Sequence, residues 1–153
     1  MRTWPCIILL PALFIGPCTP EADVLSVARG STSDSLTFHA AQDSAFSSKP
    51  VSNLVGIVVS RYPCDSGLSA ARERVWVMRA ADGVGPSSPP TKITYGVNPP
   101  GYIAELGPLP LSPGCYEALL AGADVSAQVN FEVASDGSVT EARSAPGQAH
   151  GGT

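Results

Sequence analysis

Proline and glycine decide what this 153-residue chain can become, with 15 of each spread along it. Proline fixes φ and removes a backbone donor, and glycine weakens the interior of a helix. The segments left between them are too short for long helices and suit short strands joined by turns. About six to eight such strands are legible, at near-regular spacing and with no strong amphipathic helix among them, which is the pattern of an all-β sandwich.

The segments differ in how fully their pattern buries them. Ser35-Leu36-Thr37-Phe38-His39 alternates, with Leu36 and Phe38 on one side. Leu54-Val55-Gly56-Ile57-Val58-Val59 is continuous and β-branched, as expected of a strand covered on both faces. A single helical turn over Ser69 to Arg74 is expected before the strand Val75-Trp76-Val77-Met78. Ile93, Tyr95 and Val97 form one apolar face, and Tyr102, Ala104 and Leu106 form another. A strand from Cys115 to Leu120 follows, with Tyr116, Ala118 and Leu120 sharing a side. Val129, Phe131 and Val133 give the clearest half-exposed strand, Asp136-Gly137 is a hairpin-type turn, and Val139 marks a last short strand.

The first residues read as an export signal. Arg2 precedes the apolar run Ile7 to Ile15, which is far shorter than the ~20 residues of a membrane-spanning helix and is interrupted by Pro11. Leu13-Phe14-Ile15-Gly16-Pro17-Cys18 resembles a bacterial lipoprotein signal, although Pro17 replaces the small residue expected before the cysteine. That resemblance implies that Cys18 becomes the first mature residue and carries a lipid. The alternative is ordinary cleavage near Pro20-Glu21-Ala22 and a freely secreted or periplasmic protein. Export changes the meaning of the cysteines. Cys6 leaves with the leader and Cys18 takes the lipid, so Cys64 and Cys115 remain as an expected disulfide, with two buried thiols as the alternative. Closing a loop of about 52 residues would stabilise the fold by roughly 4 kcal/mol in the chain-entropy picture.

Leu109-Pro110-Leu111-Ser112-Pro113-Gly114-Cys115-Tyr116-Glu117-Ala118, followed by Phe131-Glu132-Val133, resembles a recurring segment of transthyretin-like and carboxypeptidase-regulatory-like sandwiches. There a Leu-x-Pro-Gly-x-Tyr stretch turns into a strand whose tyrosine packs in the core. The stretch Ile93 to Val133 also looks like small bacterial lipoproteins. The resemblance implies architecture and no particular chemistry, because such modules serve as accessory, adhesive or carrier domains.

No set of residues in the sequence amounts to an active site. His39 has no nucleophile marked beside it, and no Gly-x-Ser-x-Gly occurs. Asp65, Glu73 and Asp82 are loop carboxylates with nothing to pair any two for glycoside chemistry. Asp34, Asp43, Asp124 and Asp136 lack the spacing of a calcium loop, and two cysteines with two terminal-region histidines lack that of zinc. Gly83-Val84-Gly85 lacks the strand-to-helix setting of a phosphate loop. A net charge of −4, with no basic cluster, argues against nucleic acid. Trp76 and Met78 take the opposite parity from Val75 and Val77, so their strand is either covered twice or offers a partner face, with Tyr62 as a candidate loop anchor.

The sequence thus leads to a small antiparallel sandwich of about seven strands, Greek-key-like. A signal peptide is expected over residues 1–17, a tether with one early strand over 18–50, the sandwich over 51–141 and a disordered tail over 142–153. The expected role is a non-catalytic, extracytoplasmic module without cofactor or metal. It would sit on the membrane through Cys18 and bind or brace an envelope protein or glycan. The alternatives are a small secreted hydrolase and a docking subunit using the Trp76 strand.

Overall fold

The computed structural model describes residues 22–44, 47–49, 51, 54–65, 71–122 and 127–142; the expected leader, Cys18 and nearly all of the expected tail lie outside them. Among the described residues ten strands follow in order: β1 (Ala22–Val27), β2 (Thr37–Ser44), β3 (Ser47–Lys49), β4 (Leu54–Tyr62), β5 (Glu73–Ala80), β6 (Lys92–Thr94), β7 (Tyr102–Leu106), β8 (Gly114–Gly122), β9 (Gln128–Val133) and β10 (Val139–Glu141). No helix occurs among the described residues; of the turn expected over Ser69 to Arg74, the first two residues lie outside them, and β5 begins at Glu73.

All the pairings are antiparallel and build two sheets. In the smaller sheet β2 pairs with β1 on one side, and with β3 and β6 end to end on the other. The larger sheet has the order β10-β9-β8-β4-β5-β7. Its run β8-β4-β5-β7 is a Greek-key arrangement from which β6 has been diverted into the opposite sheet.

The core lies between the sheets. Leu25, Leu36, Phe38, Ala40 and Ile93 enter it from the smaller sheet and its flanks, and Ile57, Val59, Trp76, Met78, Tyr116 and Phe131 from the larger. Phe38 and Phe131 bridge the layers edge to face with centroids 5.8 Å apart, and Phe131 stacks on Tyr116 at 5.4 Å. Central β4, flanked by β5 and β8, is the continuous β-branched run, as its position demands. Within it Gly56 is required sterically, because a Cβ there would overlap the Met78 carbonyl of the neighbouring strand.

The structure departs from the sequence pattern in three places. Residues 22–44, expected as tether with one strand, form β1 and most of the smaller sheet. The faces expected of Ile93-Tyr95-Val97 and Tyr102-Ala104-Leu106 are fully buried only at their first members; Tyr95 is half-buried against the core, whereas Val97 is 54% and Leu106 40% exposed. β7 is an edge strand of the larger sheet. Finally, Trp76 and Met78 are no partner face. Both are fully buried between the sheets, and Trp76 meets Tyr95 at a centroid distance of 5.1 Å.

Candidate functional site

The most unusual chemistry sits on the outer face of the larger sheet. Along β8 the side chains alternate, so that Tyr116, Ala118 and Leu120 face the core and Cys115, Glu117 and Leu119 face away. Outward position should mean exposure, yet Glu117 is only 1% exposed. Its neighbours across the sheet are Ser60 on β4 and Asn130 on β9. Cys115 forms a disulfide with Cys64, with a Cα–Cα separation of 5.2 Å that suits a disulfide. The connection between β4 and β5 is therefore fastened to β8 at one end by a covalent bond. Two residues along β8, Glu117 fastens the other end through Arg72, whose Nη2 lies 2.8 Å from Glu117 Oε2.

The two carboxylate oxygens of Glu117 are used unequally. Oε2 takes both the Arg72 guanidinium and a hydrogen bond from Gln128 Nε2 at 3.0 Å. Oε1 is buried with no hydrogen-bond partner. Burial pushes the Glu117 carboxyl above the ordinary range, and the Arg72 charge pulls only partly against it. Burial also raises the Tyr62 hydroxyl, and the Glu117 charge adds to this while Arg72 opposes it. Tyr62 is half-buried and stands opposite Cys115 in the β4–β8 register, so it belongs to this polar cluster. Beside the cluster an open cleft of about 480 Å³ is lined by Arg61, Tyr62, Cys64, Asp65 and Glu73. Arg61 donates from Nη2 to the Pro113 carbonyl at 3.1 Å, which fixes the cleft wall where the chain enters β8.

The other residues singled out in the sequence fall apart spatially or stay bland. His39 lies opposite Ser26 in the β1–β2 register, and both line a groove with Glu141. The Glu141 carboxylate accepts a hydrogen bond from the Val27 backbone N–H. Asp82 accepts from the backbone N–H groups of Val84 and Gly85, which holds its carboxyl below the usual range. Asp136 does the same for its turn through Ser138. Both aspartates are thus turn-makers. Asp34 and Asp65 are exposed, and Asp124 lies outside the described residues. Among the described residues no three His, Cys, Asp or Glu side chains gather as a metal site. No helix there is long and apolar enough to cross a membrane.

Glu117 and Arg72 were not evident as a pair in the sequence. The one available signal was an acid at the centre of a strand whose neighbours are Tyr116, Ala118 and Leu119. No family model, no curated protein and no solved structure matches this chain.

Proposed function

We propose that this chain is an exported β-sandwich module, lipid-anchored through Cys18, that binds or braces a component of the cell envelope rather than turning over a substrate. The observation that carries this reading is the Cys64–Cys115 disulfide. Such bonds persist in oxidising, extracytoplasmic compartments and are rare in the cytosol, where thiols are kept reduced. The apolar run ending at Cys18 supplies the export address and the lipid acceptor. The polar cleft next to the disulfide, with Arg61, Asp65 and Glu73 on its walls, is the surface such a module would present to an envelope protein or glycan.

The test has two arms on the protein isolated from its host. Metabolic labelling with a palmitate analogue is expected to mark the wild type and to be lost in Cys18→Ser. Thiol titration of the unfolded, unreduced protein is expected to find no free Cys64 or Cys115. Unchanged membrane retention of Cys18→Ser would overturn the anchor. Two free thiols in the folded part would overturn export. Crosslinking in the intact envelope should then recover a partner through the cleft, and a charge-reversing Arg61→Glu should abolish that crosslink. Recovery of no partner would overturn the binding role.

A further inference from the structure

A second polar site lies where the outermost strands of the two sheets, β1 and β10, meet at one corner of the sandwich. The turn after β1 is joined to the start of β10, where the Val139 N–H donates to the Ser31 carbonyl. The Ala28 N–H donates to the Thr37 carbonyl, toward β2. Backbone groups alternate in direction along an antiparallel strand, so the Val27 N–H turns to the unpaired edge of β1. There it meets the Glu141 carboxylate, which reaches across from the other sheet. We propose that this edge captures the C-terminal carboxylate of an extended peptide, with Glu141 as its built-in competitor. The inference rests neither on export nor on the cleft beside the disulfide.

The surroundings favour an anion. An open groove of about 860 Å³ at this corner is lined by Ser26, Val27, Arg29, His39, Val139 and Glu141, among others. Arg29 is exposed and makes no ion pair among the described residues. His39 stands opposite Ser26 on β1 and opposite Lys92 on β6. All three point away from the core, because their neighbours Leu25, Phe38 and Ile93 are buried. Arg29 and Lys92 thus bring positive charge to the groove and its margin, and His39 brings a ring donor. Glu132, opposite Thr140 on β9, is exposed and does not line the groove.

Glu141 shows what the Val27 N–H accepts, which is one oxygen of a carboxylate on an exposed residue. A ligand carboxylate can take that place with one oxygen and turn the other to the Arg29 guanidinium, a bond charged on both sides. The displaced Glu141 side chain passes into water at little cost, because it is already exposed. A peptide suits the site better than a sugar acid, because the donor belongs to a strand edge. The Val27 carbonyl turns outward with its N–H and can accept a backbone N–H of the ligand, as in strand addition with carboxylate capture. Val27, Ala28 and Val139 contribute apolar lining, which fits a small apolar last residue.

The experiment titrates the full-length, disulfide-intact protein with acetyl-trialanine, with its C-terminal amide and with glucuronate, following the Val27 amide and Arg29 Nε–H resonances. The free acid is expected to move both signals, and the amide to bind at least about tenfold more weakly. Glu141→Ala removes the competitor and should bind the free acid about tenfold more tightly than wild type, whereas Arg29→Ala should bind it more weakly. Should Glu141→Ala fail to fold, the comparison of acid with amide on the wild type decides alone. Equal binding of acid and amide, or unchanged affinity in a folded Glu141→Ala, would overturn the proposal. Tighter binding of glucuronate than of the peptide would also overturn it, in favour of a glycan site.

Discussion

Tyr116 shows how one side chain can serve two layers of the structure. Its ring is buried and stacked on Phe131, while its hydroxyl donates to the Ser112 carbonyl at 2.7 Å and accepts from the Ser112 N–H at 3.1 Å. The ring anchors β8 in the core, and the hydroxyl fixes the proline-rich approach to it. Tyr116→Phe keeps the ring and strands two backbone groups. It is expected to lower stability by about 1–2 kcal/mol, seen in urea unfolding as a lower midpoint at unchanged slope. Tyr95 makes a comparable tie from the other side of the core, donating to the Leu109 carbonyl at 2.7 Å, and burial pushes its hydroxyl up to about 12. Glu117 obeys the same burial rule with the opposite result, because its ordinary state is charged. Between the ordinary glutamate value and the raised one, the folded protein holds a proton that the unfolded chain has already released. Stability is therefore greatest below that window and falls as pH rises through it. Glu117→Gln removes the titration, so its melting temperature should vary less than wild type between about pH 4 and 7. An identical pH profile for the two proteins would exclude the buried ionisation.

Among the elements, the β4–β5 connection and β8 form the unit most open to a direct test. If Cys64 and Cys115 act only by closing their loop, Cys64→Ser, Cys115→Ser and the double variant should each lose about the same ~4 kcal/mol. Clearly additive losses in denaturant unfolding would mean that each cysteine contributes something apart from the bond. This tie was legible in the sequence once Cys6 was assigned to the leader and Cys18 to the lipid. So were β4, β5, β8 and β9, because central strands announce themselves by β-branched runs or strict alternation of the Val129-Phe131-Val133 kind. β1 was not legible. In Ala22-Asp23-Val24-Leu25-Ser26-Val27 apolar residues fall on both parities, and Val24 is in fact 37% exposed while Leu25 is buried. An edge strand tolerates such a pattern because only one face is covered. β3 left no apolar trace at all, since Ser47-Ser48-Lys49 is held by backbone pairing to β2. The burial of Glu117 was hidden for a different reason. Parity correctly placed it on the outer face, but parity cannot report what crosses that face, and the partner Arg72 comes from a connection rather than a strand.

At the scale of the molecule the decisive point is that the smaller sheet comes largely from residues that read as a tether. Remove residues before 51 and the larger sheet keeps all six of its strands, yet it loses the layer that covers it. β6 loses its sheet partner, β2. Leu25, Leu36 and Phe38 leave the core, and Phe131 is stripped of its edge-to-face contact. Burying three such side chains is worth about 5–9 kcal/mol, which is comparable to the ~5–15 kcal/mol by which a whole domain is stable. The Cys64–Cys115 bond cannot compensate, because it ties β8 to the β4–β5 connection within the same sheet and adds nothing to its uncovered face. A fragment of residues 51–141 is therefore expected to lack a cooperative thermal transition, to lose its near-UV circular dichroism and to bind a hydrophobic dye. A fragment of residues 22–142 should melt cooperatively. If the shorter fragment melts as sharply as the longer one, the six-stranded sheet is a domain in its own right and the first three strands merely decorate it.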